Sequence, residues 1–210
     1  MEIIRYSELK PQPWRNGGGV TRELASHPQA ASAQDDFWDW RVSIAEISKA
    51  GPFSAFVGTD RVLTVIDGEL LLLNVDGAEQ PLEKHRPFRF SGDAPSSATL
   101  PTGNVQALNV VTRKGSFKGY TSIIELSKKR AHPVFNGQIG VLLQGQATVS
   151  PGGTASSETG SSATGPDVGA EPLARYDAVV GSDTETPEIL GRGFLAVVSI
   201  DRVDPAPSAG

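Results

Sequence analysis

The residues in this chain best suited to chemistry are its arginines. Of twelve, Arg15, Arg22, Arg41, Arg61 and Arg113 lie in or beside strand-like segments with a polar face. A planar guanidinium presents paired N–H donors to a carboxylate, so several arginines converging on one cavity would capture a small anion. Pointing outward, the same arginines would be solubilising charges. The densest stretch is "PWRNGGGVTREL", residues 13–24, which holds Arg15, Asn16, three consecutive glycines, Thr21 and Glu23. A phosphate-binding reading of those glycines fails on spacing. A Walker loop needs Lys-Ser/Thr after its last glycine, where Val20-Thr21 follows, and a dinucleotide fingerprint needs glycine where Arg22 stands. The glycines instead allow a tight turn and a close backbone approach.

Other chemistries find little support. Zero cysteines exclude disulfides, thiolate catalysis and every cysteine-containing zinc site. The three histidines, His27, His85 and His132, have no paired spacing, and His27 and His132 precede proline in expected turns. No metal ligand set, and no cofactor, is therefore expected. No Gly-x-Ser-x-Gly elbow is present. Glu23, Glu46, Asp60 and His85 are the available general bases. A carboxylate close to several arginines is a weak base, because their charge lowers its pKa. No catalytic residue is assigned.

The elements that must position these side chains read as strands. In "FWDWRVSIAEI" (37–47), Trp38, Trp40, Val42 and Ile44 share one face, while Arg41 and Ser43 share the other. "RVLTVIDGELLLLNVDG" (61–77) reads as two strands with Asp67-Gly68 and Asp76-Gly77 hairpin turns. Further strands are expected at 88–91, 105–113, 120–126, 139–150, 176–181 and 194–200. With 23 glycines, 15 prolines and weak helix signals throughout, the 210-residue chain is expected to be all-β, a sandwich or barrel. Residues 25–36 read as a surface loop and 151–171, rich in Gly, Ser and Thr, as a mobile one. A net charge of -5 argues against nucleic acid and anionic membrane surfaces as partners. No apolar run approaches the roughly 18 residues of a membrane helix. No secretory signal is evident, and a cytoplasmic location is expected.

Three segments together resemble the HutD/Ves family: "PWRNGGGVTRE" (13–23), "FWDWRVSIAEISKAGPFSAFVGTDRVLTVIDGEL" (37–70) and "ALNVVTRKG" (107–115). The resemblance covers about residues 1–203 apart from the long loop. It implies a bicupin, two jelly-roll-like β-barrel halves in one chain: 1–115 with the candidate ligand site, and 116–203 interrupted by the loop at 151–171, followed by a disordered tail at 204–210. The frame lacks the histidines of metal cupins, since 51–68 contains none and Gln106 follows Pro101-x-Gly103 where a histidine would stand.

The resemblance further implies an association with bacterial histidine utilisation and binding of a pathway intermediate. Arg15, Asn16, Thr21, Glu23, Arg41, Ser43, Arg61, Asn109 and Arg113 are the candidate ligand-binding residues. Arg41 and Arg61 would hold the carboxylate, while Asn16, Ser43 and Asn109 would orient the ligand. Gly51, Pro52 and Phe53 read as turn and core residues. The expected partner is a small anionic metabolite, urocanate or a formyl- or formimino-glutamate-like compound. A homodimer is the default assembly for such barrels. The alternative function is a metal-independent cupin enzyme, an isomerase, epimerase or hydrolase, and a third is an interaction protein with filled barrels. An open, arginine-lined cavity in the N-terminal half would favour ligand binding.

Overall fold

The structure, a computed structural model, describes residues 1–28, 38–152 and 169–203. Most of the two loops and all of the 204–210 tail expected from sequence lie outside the described residues. At the margins of those loops, strands reach His27 and Pro151 and resume at Glu171.

The described elements are strands apart from one 3-10 turn at Tyr6–Glu8. The first six are β1 (Glu2–Ile4), β2 (Gln12–Pro13), β3 (Gly19–His27), β4 (Trp40–Ile47), β5 (Gly51–Pro52) and β6 (Thr59–Asp67). Next are β7 (Leu70–Val75), β8 (Ala78–Glu83), β9 (Phe88–Ser91), β10 (Ser96–Thr99), β11 (Val105–Arg113) and β12 (Phe117–Leu126). The last five are β13 (His132–Pro133), β14 (Gln138–Pro151), β15 (Glu171–Leu173), β16 (Ala178–Val180) and β17 (Pro187–Arg202). His27 and His132 thus lie in strands, and the turns expected there are not formed at these residues.

The chain divides into two compact units. One comprises Met1–Ser7 and Ile124–Val197, the other Glu8–Ile123 and the stretch from Val198. This differs from the division at residue 115 expected from sequence. The N-terminal strand β1 pairs with β16 through Glu2↔Val180 and Ile4↔Ala178, so it joins the unit built from the later half of the chain. Arg5 reinforces that placement by donating to the buried Asp177 carboxylate at 2.8 Å and to Glu171 at 2.9 Å. The sheet there runs β1-β16-β14-β17-β12, with β13 on β17 and β15 on β14. Its core includes the fully buried Val134, Leu142, Val149, Ile189 and Leu195.

The unit of Glu8–Ile123 holds a six-stranded sheet, β2-β3-β4-β11-β6-β9, and a four-stranded sheet, β5-β10-β7-β8. Their inner faces share one apolar cluster, with Ile47, Leu63 and Val65 from the first sheet and Leu71, Leu73 and Leu82 from the second. The arrangement is a jelly-roll sandwich. The central strands are in antiparallel register, with Asn109 opposite both Ser43 and Leu63, and Ala107 opposite Ala45 and Val65.

Period two then decides which side chains meet. Along β4 the inward face reads Arg41, Ser43, Ala45, Ile47; along β6 it reads Arg61, Leu63, Val65. The space between the sheets is therefore polar at one end and apolar at the other. The outward residues Val42, Ile44, Val62, Ile66, Leu108 and Val110 are buried as well, each favoured by about 1.5–3 kcal/mol over exposure. Of the two polarities open to β4, the strand adopts the one that turns Arg41 and Ser43 inward.

Two local expectations are corrected. Asp76-Gly77 is a two-residue hairpin turn between β7 and β8, with both φ angles positive (51° and 84°). Asp67-Gly68 is a corner instead, because β6 and β7 belong to different sheets. Gly68 is required there by crowding: a Cβ would lie 2.8 Å from the Asn104 carbonyl oxygen. Trp38 was expected on the face of Val42 and Ile44, yet it precedes the first residue of β4 and the alternation does not reach it.

Burial lowers the pKa of both His85 and His132 from the ordinary imidazole value, with Lys84 adding to the effect at His85. The unfolded chain therefore binds these protons first as pH falls. Stability supplied by the two neutral rings is complete above the ordinary value near 6.5 and is lost as pH drops through it. Urea midpoints measured from pH 8 to pH 5 should fall, and His85→Gln should flatten part of that decline.

Candidate functional site

A cavity of about 730 Å³ opens at the polar end of the jelly roll. Of the nine candidate residues, Arg15, Asn16, Thr21, Arg41, Ser43, Arg61, Asn109 and Arg113 line it. Glu23 does not, and stands behind Arg41. The remaining wall contains aromatic groups that the sequence did not single out as site residues, chiefly Trp38, Phe53 and Phe56. Phe53 was read as a turn or core residue. Its cavity position follows from the non-strand segment after Pro52, where Phe53 and Phe56 both turn toward the interior. Three-residue spacing between aromatics outside a helix was the available signal.

Trp14, Arg15, Asn16 and Thr21, which flank the glycine run, form one wall, and the glycines set their position. Gly17 has φ of 66° and closes a turn by donating its N–H to the Trp14 carbonyl at 3.0 Å. Gly18 donates to Asn16 Oδ1 at 2.9 Å, and its carbonyl accepts from the N–H groups of Ser48 and Lys49. A Cβ on Gly19 would collide with the Glu46 carbonyl oxygen and lie 3.2 Å from the Trp14 ring. The run therefore folds closely against β4, and the N–H groups of Gly17 and Gly18 are spent on protein acceptors. Trp14 is fixed by its indole N–H, which donates to Thr21 Oγ1 at 2.8 Å, and by an edge contact to Phe53 at 5.8 Å. Asn16 Nδ2 reaches the Pro52 carbonyl at 3.3 Å, tying the run to the aromatic segment.

The four arginines differ in how their charge is met. Arg41 Nε donates to Glu23 Oε2 at 2.7 Å, and its Nη2 donates to Gln12 at 3.3 Å. Arg113 donates to the Trp38 carbonyl at 3.0 Å and sits 3.5 Å from Asp39. Arg15 is exposed at the cavity wall. Arg61 is only 5% exposed, and no acidic side chain among the described residues pairs with it. Its Nη2 reaches Asn109 Oδ1 at 3.3 Å, its Nη1 the Ser54 carbonyl at 3.4 Å, and its buried Nε has no partner. The rings of Phe90, Phe56 and Phe53 surround its guanidinium at 5.0, 5.1 and 5.6 Å. Burial lowers its pKa to about 10.

This donor set does not suit a metal. No His, Asp or Glu among the described residues lines the cavity, and no three such side chains converge elsewhere among them. A divalent cation would instead sit beside an unpaired guanidinium. Of the general bases named from sequence, Glu46 is ion-paired with Arg22, Asp60 lies 4.0 Å from Arg89, and neither they nor His85 border the cavity. What the arrangement can do is receive an anion, with hydroxyl and amide groups beside one buried cation and aromatic surface around it.

The facing antiparallel sheets with a cavity at one end define a cupin-like fold. A cupin 2 conserved barrel domain protein from Leptotrichia buccalis shares this fold, with a TM-score of 0.56 at 7% identity over 97% of this chain and 96% of that one. The HutD family model matches residues 6–197, and the chain belongs to that family. HutD from Pseudomonas fluorescens SBW25, solved in a formate condition, superimposes with a TM-score of 0.71 at 25% identity, covering 96% of this chain and 98% of that one. Protein Ves from Citrobacter koseri is 38% identical over 58% of this chain, and a 21.2 kDa protein in the hutC 3' region of Pseudomonas putida is 36% identical over 53%. The matches span 64% and 57% of those two curated relatives' lengths. No helix among the described residues is long and apolar enough to cross a membrane.

Proposed function

We propose that this chain is a cytoplasmic, non-enzymatic binding protein that holds a small carboxylated metabolite in the cavity between β4, β6 and β11. Its occupancy would modulate histidine degradation. The observation that carries this reading is Arg61, a buried guanidinium facing the cavity with no acidic partner among the described residues. A carboxylate provides the missing charge in the geometry a guanidinium prefers. Urocanate and formyl- or formimino-glutamate are the ligands to test, since each offers a carboxylate and fits well inside about 730 Å³. The hutC neighbourhood of the Pseudomonas putida relative supplies the pathway context.

Calorimetry on chelator-treated protein should show saturable binding to at least one of these compounds. The absence of heat from all three would overturn the reading. Turnover of any of them by the wild-type protein would replace it with the enzyme alternative, which lacks a cavity-lining base among the described residues.

A further inference from the structure

We propose that the niche at Arg61 is a site for a small monovalent inorganic anion of chloride size, held by the ligand-free protein and displaced when a carboxylate ligand binds. The inference uses the same cavity as the binding reading but needs no particular metabolite. Arg61 bonds only to neutral oxygens, at 3.3 and 3.4 Å, the long end of the hydrogen-bond range, and its Nε is buried without a partner. Three phenylalanine rings keep water from much of its surroundings while leaving its charge in place.

The nearby carboxylates are committed elsewhere: Glu23 to Arg41 and Asp39 to Arg113. A buried ion in this position is costly unless a counter-ion accompanies it. The niche also offers further donors. Asn109 accepts from Arg61 through Oδ1, which leaves its Nδ2 protons for an anion. The buried Ser43 sits opposite Asn109 in the β4–β11 register, on the same inward face. One unpaired guanidinium matches one negative charge, so a monovalent ion is neutralised there and a divalent one is not.

Ligand binding then becomes an exchange, and chloride competes with it. The test is the excess chlorine NMR linewidth produced by the full-length protein in sodium chloride. Wild type should broaden the signal, and added formate should remove the broadening. Arg61→Met should show none, with its thermal unfolding confirming that it folds. Equal broadening in wild type and Arg61→Met, or broadening that formate leaves intact, would overturn the proposal. Should Arg61→Met fail to fold, the formate competition on wild type decides alone. Chloride at about ten times its dissociation constant should weaken metabolite binding about tenfold at fixed ionic strength, with gluconate as the replacement ion. Metabolite affinity indifferent to chloride would sink the exchange and leave the binding reading standing. Chloride displaced by formate, with none of the three metabolites binding at any chloride concentration, would sink the binding reading alone.

Discussion

Arg61→Met weakens carboxylate binding by about 10- to 100-fold and, in chloride-free buffer, makes the ligand-free protein more stable. The first effect is the loss of a charge-assisted contact. The second follows from the cost of an unpaired buried charge. Replacing such a group by an apolar one of similar length gains about 1–4 kcal/mol, and each kcal/mol moves the melting temperature of a chain this size by about 2–4 °C. The pH dependence supplies a check. Arg61 has a folded pKa lowered to about 10, so the unfolded chain holds the proton more tightly above that pH. The full penalty is present at neutral pH and is relieved as pH rises through about 10, so the stability gap between variant and wild type narrows there. Thermal scans of both proteins from pH 7 to pH 11 measure it. A variant less stable than wild type at neutral pH without chloride would mean that Arg61 is paired after all.

Gly19→Ala costs about 2–4 kcal/mol and is the most damaging alanine substitution in the glycine run. Its Cβ meets the backbone oxygen of Glu46, which β4 holds in a central position of the sheet, and then the face of Trp14. Neither neighbour is the free end of a flexible side chain. Gly17→Ala costs about 1–2 kcal/mol, because its φ of 66° is left-handed while the space around it is open. Gly18→Ala costs less than about 1 kcal/mol, since the nearest atom is the Asn16 amide oxygen at 3.2 Å, which can move. Urea midpoints for the three variants should follow that order. A Gly19→Ala protein as stable as wild type would refute the close approach on which the wall of the cavity depends.

The strands, and which side chains share a face of the site strands, were legible because period two is a local property, whereas which face turns inward was not. Arg41 and Ser43 share a parity on β4, and β11 was bounded at Val105 and Arg113 from its apolar run alone. The phosphate reading of the glycines could be rejected from the residues that follow them. What could not be read was pairing. Asp67-Gly68 and Asp76-Gly77 look alike in sequence, yet one turns a hairpin and the other carries the chain between sheets. The choice depends on Asn104 and Val105, which crowd Gly68 from a distant part of the chain. The same limit applies to the arginines. Arg41 and Arg61 are equivalent in sequence, and only the arrival of Glu23 from β3 neutralises the first and leaves the second alone. The membership of β1 in the later unit was likewise invisible, since three residues carry no sign of their partner strand.

The polar-to-apolar gradient along β4, β6 and β11 separates two kinds of measurement. In the binding reading, Ser43, Asn109 and Arg61, at the polar end of the cavity, would meet the head of the ligand by charge and hydrogen bonding. Ala45, Ile47 and Leu63, two or four residues further along the same strands, would set how much body can follow it. Because side chains two apart share a face but not a neighbour group, exchanging Ala45 for a larger residue would, in that reading, shorten the admissible molecule without disturbing its anchor. Length and charge can therefore drift independently in this scaffold, so that one anchor could serve a series of acids of different reach.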